Sequence, residues 1–107
     1  VKLYTIKIDR PIGHNHHGTI YPVNYGYVPE LIAGDDEEQD VYILSRLTEN
    51  QIPLTEFTGK LTAIIHRKND VEDKWVMTSE HETFTKEEIF AQTYFMEQYF
   101  DSEIELL

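Results

Sequence analysis

Two short acidic runs carry the side chains best suited to chemistry. Asp35, Asp36, Glu37, Glu38 and Asp40 place five carboxyls within six positions, and Asp70, Glu72 and Asp73 form a second group followed at once by Lys74. Each run lies in a turn-like stretch next to a strand-like one, and a turn frees its side chains from strict alternation, so they can converge on one point. Carboxylates packed this closely repel each other until water or a cation offsets the charge. Hard oxygen donors without any thiolate suit Mg²⁺ or Mn²⁺. A solvated acidic turn would account for the first run equally well. Lys74 beside the second is either an exposed ion-pair partner or a ligand for a phosphate oxygen.

The whole chain shares this charge. Its 107 residues carry 20 acids against 9 Lys and Arg, a formal net charge of −11. Such a surface repels nucleic acid, whose binding needs a basic footprint. Free phosphate compounds are repelled too, so an acidic protein that acts on them needs cations between its carboxylates and the ligand. Acidity also serves solubility alone. No cysteine is present, which excludes disulfides, zinc–thiolate sites and thiol nucleophiles. No apolar run reaches membrane-spanning length, and the N-terminal residues are unlike a signal peptide. The expectation is one cytoplasmic domain over residues 1–107, with no membrane or nucleic-acid partner.

These acids need a scaffold, and the apolar pattern describes one. Residues 2–9 alternate well enough to predict a strand, and 10–18 form a Gly-, Pro- and His-rich loop. Residues 19–28 are aromatic and β-branched but interrupted by Pro22, which predicts a bent strand, or two short ones, at an exposed edge. Strands are predicted over 40–45, 59–68 and 73–79, with a connection over 47–58 and a hairpin-like turn at 69–72. The final predicted element is a helix over about 86–100. Thr85 and Glu88 form a capping box, Phe84 and Ile89 a hydrophobic staple, and Ile89, Met96 and Phe100 recur at helical spacing. Strands followed by one C-terminal helix predict a mainly β fold, a five-stranded Greek-key barrel of the OB type packed by that helix.

The segment Tyr21-Pro22-Val23-Asn24-Tyr25-Gly26-Tyr27 resembles the YPxNYGY-type motif of the soluble inorganic pyrophosphatases. In that family an acidic D-x-D-x-x-D motif follows at a fixed offset, and Asp35, Glu37 and Asp40 fall there without a gap. Asp70 to Lys74 resembles a third family segment, and Met96 to Tyr99 a last one. The resemblance implies an OB-type barrel and Mg²⁺-dependent hydrolysis of pyrophosphate to two phosphates, with Mn²⁺ as a second candidate. Carried over by position, it gives Asp35, Asp40, Asp70 and Asp73 as metal ligands and Glu37 as the group assisting the attacking water. Tyr25, Lys74 and Tyr99 contact phosphate, and Tyr21 braces the site.

Three departures from the family pattern bear on activity. Glu37 replaces the middle Asp, Phe100 stands where the family has a phosphate-binding Lys, and a family segment ahead of the YPxNYGY-type motif is missing. Asp9 and Arg10 are weak counterparts of its Glu and Arg. The metal half of the site is thus expected to be retained and the phosphate half depleted. Candidate replacements are His14, His16 and His17, and the group His66, Arg67 and Lys68, although an exposed polar loop equally explains the three clustered histidines. Alternatives stay open: a catalytically degenerate metal- or phosphate-binding relative, a hydrolase of another small phosphoanhydride, or a non-enzymatic acidic barrel. Tyr4, Tyr42, Trp75, Tyr94 and Phe95 are read as core or interface residues, and exposed rings on the helix would offer a face for homo-oligomer formation.

Overall fold

A computed structural model describes residues 1–107. The strands are β1 (Tyr4–Arg10), β2 (Asn15–His16), β3 (Thr19–Ile20), β4 (Asn24–Ile32), β5 (Glu38–Ile43), β6 (Glu56–Arg67), β7 (Asp73–Thr78) and β8 (Ser102–Leu106); helix α1 spans Lys86–Glu97. The main sheet runs β1-β4-β5-β7-β6-β8, and a further β1–β6 pairing closes its first five strands into a barrel. Only β5 and β7 run parallel. This is the five-stranded OB-type barrel with one helix that the sequence predicts.

Closure depends on the length of β6. Of its twelve residues, Lys60 to His66 pair with β7 along one edge, while the other edge takes β1 at Glu56–Gly59 and β8 at Ala63–Arg67. A register shift between Leu61 and Ala63 bends the strand between those duties. The two central strands are buried on both faces. Val41 and Ile43 of β5 and Met77 of β7 join one core cluster with Ile6, Val28 and Phe57. Their alternating neighbours Tyr42 and Val76 join the other, with Leu44, Tyr21, Tyr25, Ile65, Phe84 and Ile89. Helix α1 closes this second cluster. Its Thr85 side chain accepts from the Glu88 N–H while Glu88 reciprocates, so the capping box forms as the sequence predicts. Phe84 and Ile89, the staple pair, are both buried.

Three elements differ from expectation. The 19–28 segment does split in two, but its second half, β4, lies between β1 and β5 rather than at an edge. Pro22 is tolerated because it falls in the gap between β3 and β4, where no ladder bond is lost. The helix ends at Glu97, and residues 98–100 form tight turns whose N–H groups bond back to Tyr94, Met96 and Glu97. These turns prolong the helical spacing past the helix itself. The helix is also not the last element, since β8 follows and returns to β6.

Gly26 is where close packing is strictest. A Cβ built there would lie 1.9 Å from the Lys7 carbonyl oxygen of β1, a backbone atom with nowhere to go. Gly26→Ala is therefore expected to destabilise the barrel by about 3 kcal/mol or more, read as a lower urea midpoint. A midpoint like that of the wild type would contradict this packing.

Candidate active site

The acid-bearing loops pack against each other. The turn between β4 and β5 is closed by Ala33 N–H to Glu37 O (2.8 Å) and Asp36 N–H to Ala33 O (3.2 Å), with Asp36 in the left-handed region at φ 66°. Asp35 Oδ1 accepts the Glu37 N–H. Between β6 and β7, Asp70 Oδ1 accepts the Val71 N–H at 2.7 Å. The loops meet at Gly34, where a Cβ would come 2.7 Å from the Val71 carbonyl oxygen. Below the contact, Gln39 Nε2 donates to the Asp73 carbonyl at 2.8 Å and pins the start of β5 to β7.

This juxtaposition forms an open cleft of about 470 Å³ lined by Asp9, Tyr27, Asp35, Glu37, Glu38, Asp40 and Glu72. Asp35 and Glu72 interact across it. Their hydrogen bond, with help from the Glu37 N–H, holds Asp35 below the usual carboxylate range. Burial lifts Glu72 above that range, and the bond to Asp35 adds to the lift against the opposing pull of Lys74. Lys74 lies at the edge of this acid group. Its Nζ is 2.6 Å from Asp40 Oδ2 and 2.7 Å from Glu72 Oε1, and it donates to Tyr25 Oη at 2.9 Å. Burial, then the nearby Asp40 charge, push the Tyr25 phenol well above its ordinary pKa, so it stays neutral.

Of the sequence-derived site residues, the structure brings Asp35, Glu37, Asp40, Lys74 and Tyr25 together. Asp73 and Asp70 stand outside the cleft. The reason for Asp73 is strand alternation: it pairs across β6–β7 with His66, and its Oδ2 lies 3.0 Å from His66 Nδ1. Glu72 instead has the parity of Lys74 and faces the cleft, a signal present in the sequence that the reading of Asp73 overlooked. Asp70 turns to its own loop and to Arg67, 3.6 Å away. Tyr99 is exposed, whereas Tyr21 is buried and its Oη accepts from Arg10 Nη1 at 2.7 Å. Arg10 also lies over the rings of Tyr21 and Tyr25.

The histidines and basic residues that the sequence offered as further phosphate contacts divide in the same way. His66 is held between Asp73 and Glu105, and its bond to Glu105, then the charge of Asp73, raise its pKa. Lys68 is exposed near Asp101. His14, His16 and His17 occupy the β2–β3 hairpin, with His14 edge-on to Tyr21. Desolvation and the nearby Arg10 hold His16 below the usual histidine value.

Arg67 is not a free ligand. It is bonded through Nε and Nη2 to Glu97 at 3.1 and 2.6 Å, and both side chains are almost fully buried. Tyr42 donates to the same carboxylate at 2.7 Å, and the Phe100 ring stacks on the guanidinium at 3.6 Å. Burial opposes the Arg67 charge, but the bonds and attraction from Glu97 outweigh it and raise the pKa. Its remaining Nη1 faces Asp70 and Glu72 at 3.6 and 3.7 Å, so this pair backs the acid site. Nothing local in the sequence joins positions 67 and 97. The available clue was that Glu97 follows Ile89 and Thr93 at steps of four, on the buried face of α1.

The donor set of the cleft is carboxylate oxygen, which fits a hard divalent cation and offers nothing to a soft one. No three His, Asp or Glu side chains already converge at metal-ligand spacing. Lys74 stands between two of the acids.

No protein-family model matches the sequence, and no curated protein does. Solved structures do match the fold. An inorganic pyrophosphatase from Ehrlichia chaffeensis superposes with a TM-score of 0.71 at 17% identity, covering 98% of this chain and 86% of that one. One from Coxiella burnetii gives 0.68 at 14% identity, over 99% and 85%. A third, from Neisseria gonorrhoeae, gives 0.64 at 18% identity, over 91% and 73%. At such identities the likeness is one of fold: this chain has a barrel of the kind those enzymes build. No helix is long and apolar enough to cross a membrane.

Breaking the buried pair behind the site tests its energetics. Glu97→Gln removes the buried bidentate partner of Arg67, leaving only the longer contacts to Asp70 and Glu72, and is expected to cost about 3 kcal/mol in urea unfolding. Arg67→Met combined with Glu97→Met should cost far less. Equal losses in both variants would contradict this account.

Proposed function

We propose that this chain is a metal-dependent hydrolase that splits pyrophosphate into two phosphates, with Mg²⁺ as the working ion. The observation that carries the reading is the cleft where Asp35 and Glu37 of one loop, and Asp40 on the strand that follows it, meet Glu72 from another loop, edged by Lys74. The inorganic pyrophosphatases that share its fold support the choice of substrate. A chain with net charge −11 repels an anionic substrate unless cations stand between them.

Asp35, Asp40 and Glu72 would hold the ion, with Glu72 taking the part that the sequence resemblance gave to Asp73. When bound, a hard divalent cation neutralises phosphate charge and acidifies water. The protein's residues supply the rest. Glu37 accepts a proton from the attacking water, a task suited to an exposed carboxylate at the cleft rim. Lys74 and the neutral Tyr25 phenol donate to a phosphate oxygen, and charge-assisted donors are the stronger kind. Arg10, fixed on Tyr21, adds a second cation on the Tyr25 side. Tyr99, whose ring is exposed, keeps the phosphate contact that the resemblance gave it.

Phosphate release from pyrophosphate with Mg²⁺, with Mn²⁺ and with chelator tests this reading. Release is expected only with the metals, and Asp40→Asn should lower it by about two orders of magnitude or more. An unchanged rate in Asp40→Asn, or release that persists in chelator, would contradict it. Release from another phosphoanhydride alone would contradict the substrate.

A further inference from the structure

Lys74 is saturated. An ammonium has three N–H donors, and here they meet Asp40 at 2.6 Å, Glu72 at 2.7 Å and Tyr25 at 2.9 Å. The side chain is only 6% exposed. In this arrangement no N–H remains for an incoming anion, so Lys74 cannot bind phosphate without giving up a partner.

The same two carboxylates are candidates for holding a cation. An Mg²⁺ ion binds oxygen at about 2.0–2.1 Å. An ion that close to Asp40 and Glu72 competes for oxygens the ammonium already holds. A charge of +2 beside one of +1 in a partly dehydrated cleft is strongly repelled. One of the two cations must leave. Arg67, the other cation behind Glu72, is anchored by Glu97, which Tyr42 also holds, and covered by Phe100. Lys74 by contrast is an ammonium on a flexible four-carbon stem, with Tyr25 Oη as a neutral partner it can keep.

We propose that Lys74 is a built-in counter-ion: it partly compensates the charge of Asp40 and Glu72 until a divalent cation displaces it, and displacement frees its ammonium for an anionic ligand. This inference rests on the cation site proposed above and adds how that site is regulated. Metal binding and anion binding are thereby coupled, and coupling of binding free energies is reciprocal. The metal prepares a donor for phosphate, and phosphate bound to Lys74 keeps it off the carboxylates. Without metal, the chain holds its acid site partly compensated and its lysine masked.

Calorimetric titration with Mg²⁺, without substrate, separates this inference from the reading beneath it. Lys74→Met removes the internal competitor and should bind Mg²⁺ at least about tenfold tighter than the wild type. Lys74→Arg keeps a competing charge and should stay near the wild type. Inorganic phosphate should bind the wild type more tightly when Mg²⁺ is saturating, and Lys74→Met should lose that gain. If the wild type binds Mg²⁺ and Lys74→Met binds it equally or more weakly, the counter-ion role is overturned and the cation site stands. If neither binds Mg²⁺, the cation site falls, and this inference with it. Should Lys74→Met not fold, the side-chain NMR resonances of Lys74 in the wild type decide. A large change on Mg²⁺ saturation supports displacement, and unchanged resonances overturn it.

Discussion

Charge compensation at the junction of β5, β6 and β7 is the constraint on which the rest depends. Two cations with little solvent exposure, Lys74 and Arg67, sit among Asp40, Glu72, Asp70 and Glu97. A buried charge without a partner would cost several kcal/mol, yet no fully buried side-chain polar atom lacks a hydrogen bond. The two cations divide the work. Arg67 faces inward to Glu97 and Tyr42 and ties α1 to the barrel. Lys74 faces the cleft and ties the two acidic loops together. The barrel can therefore carry a dense group of carboxylates at one rim without being forced apart.

The topology explains why the acids arrive at that rim. β5 and β7 are parallel neighbours, so their N-terminal ends lie at the same end of the barrel. The loop ahead of each strand is acidic, and the pairing brings the loops into contact at Gly34 and Val71. Central strands buried on both faces hold these ends rigidly, which is what positioning of a charged ligand requires. Arg10 and the histidine hairpin approach from the side of β1. The result is an acidic group on one side and the Arg10 cation against Tyr21 and Tyr25 on the other, a division suited to a cation-bound anion.

Much of this was legible in the sequence where the signal is local. The capping box at Thr85, the staple of Phe84 with Ile89, and the turns at the acidic runs each depend on a few adjacent residues. The barrel class followed from several short strands ahead of one helix, while the order of strands in the sheet did not follow from periodicity. What escaped were long-range facts. β8 alternates over only five residues after a helix and gains its place by pairing with β6, which periodicity does not reveal. Arg67 and Glu97 are thirty positions apart. The family resemblance implies Asp73 as a ligand, whereas strand parity puts Glu72, not Asp73, on the cleft side with Lys74.

The central claim is that Asp35, Asp40 and Glu72, drawn from two loops and the start of β5, act as one cation site. Anomalous diffraction from a crystal soaked in Mn²⁺ tests it most directly. The account requires an anomalous peak in the cleft bounded by those three carboxylates. A cleft without a peak at millimolar Mn²⁺, or a peak beside Asp73 and His66 on the opposite face of the sheet, would contradict it.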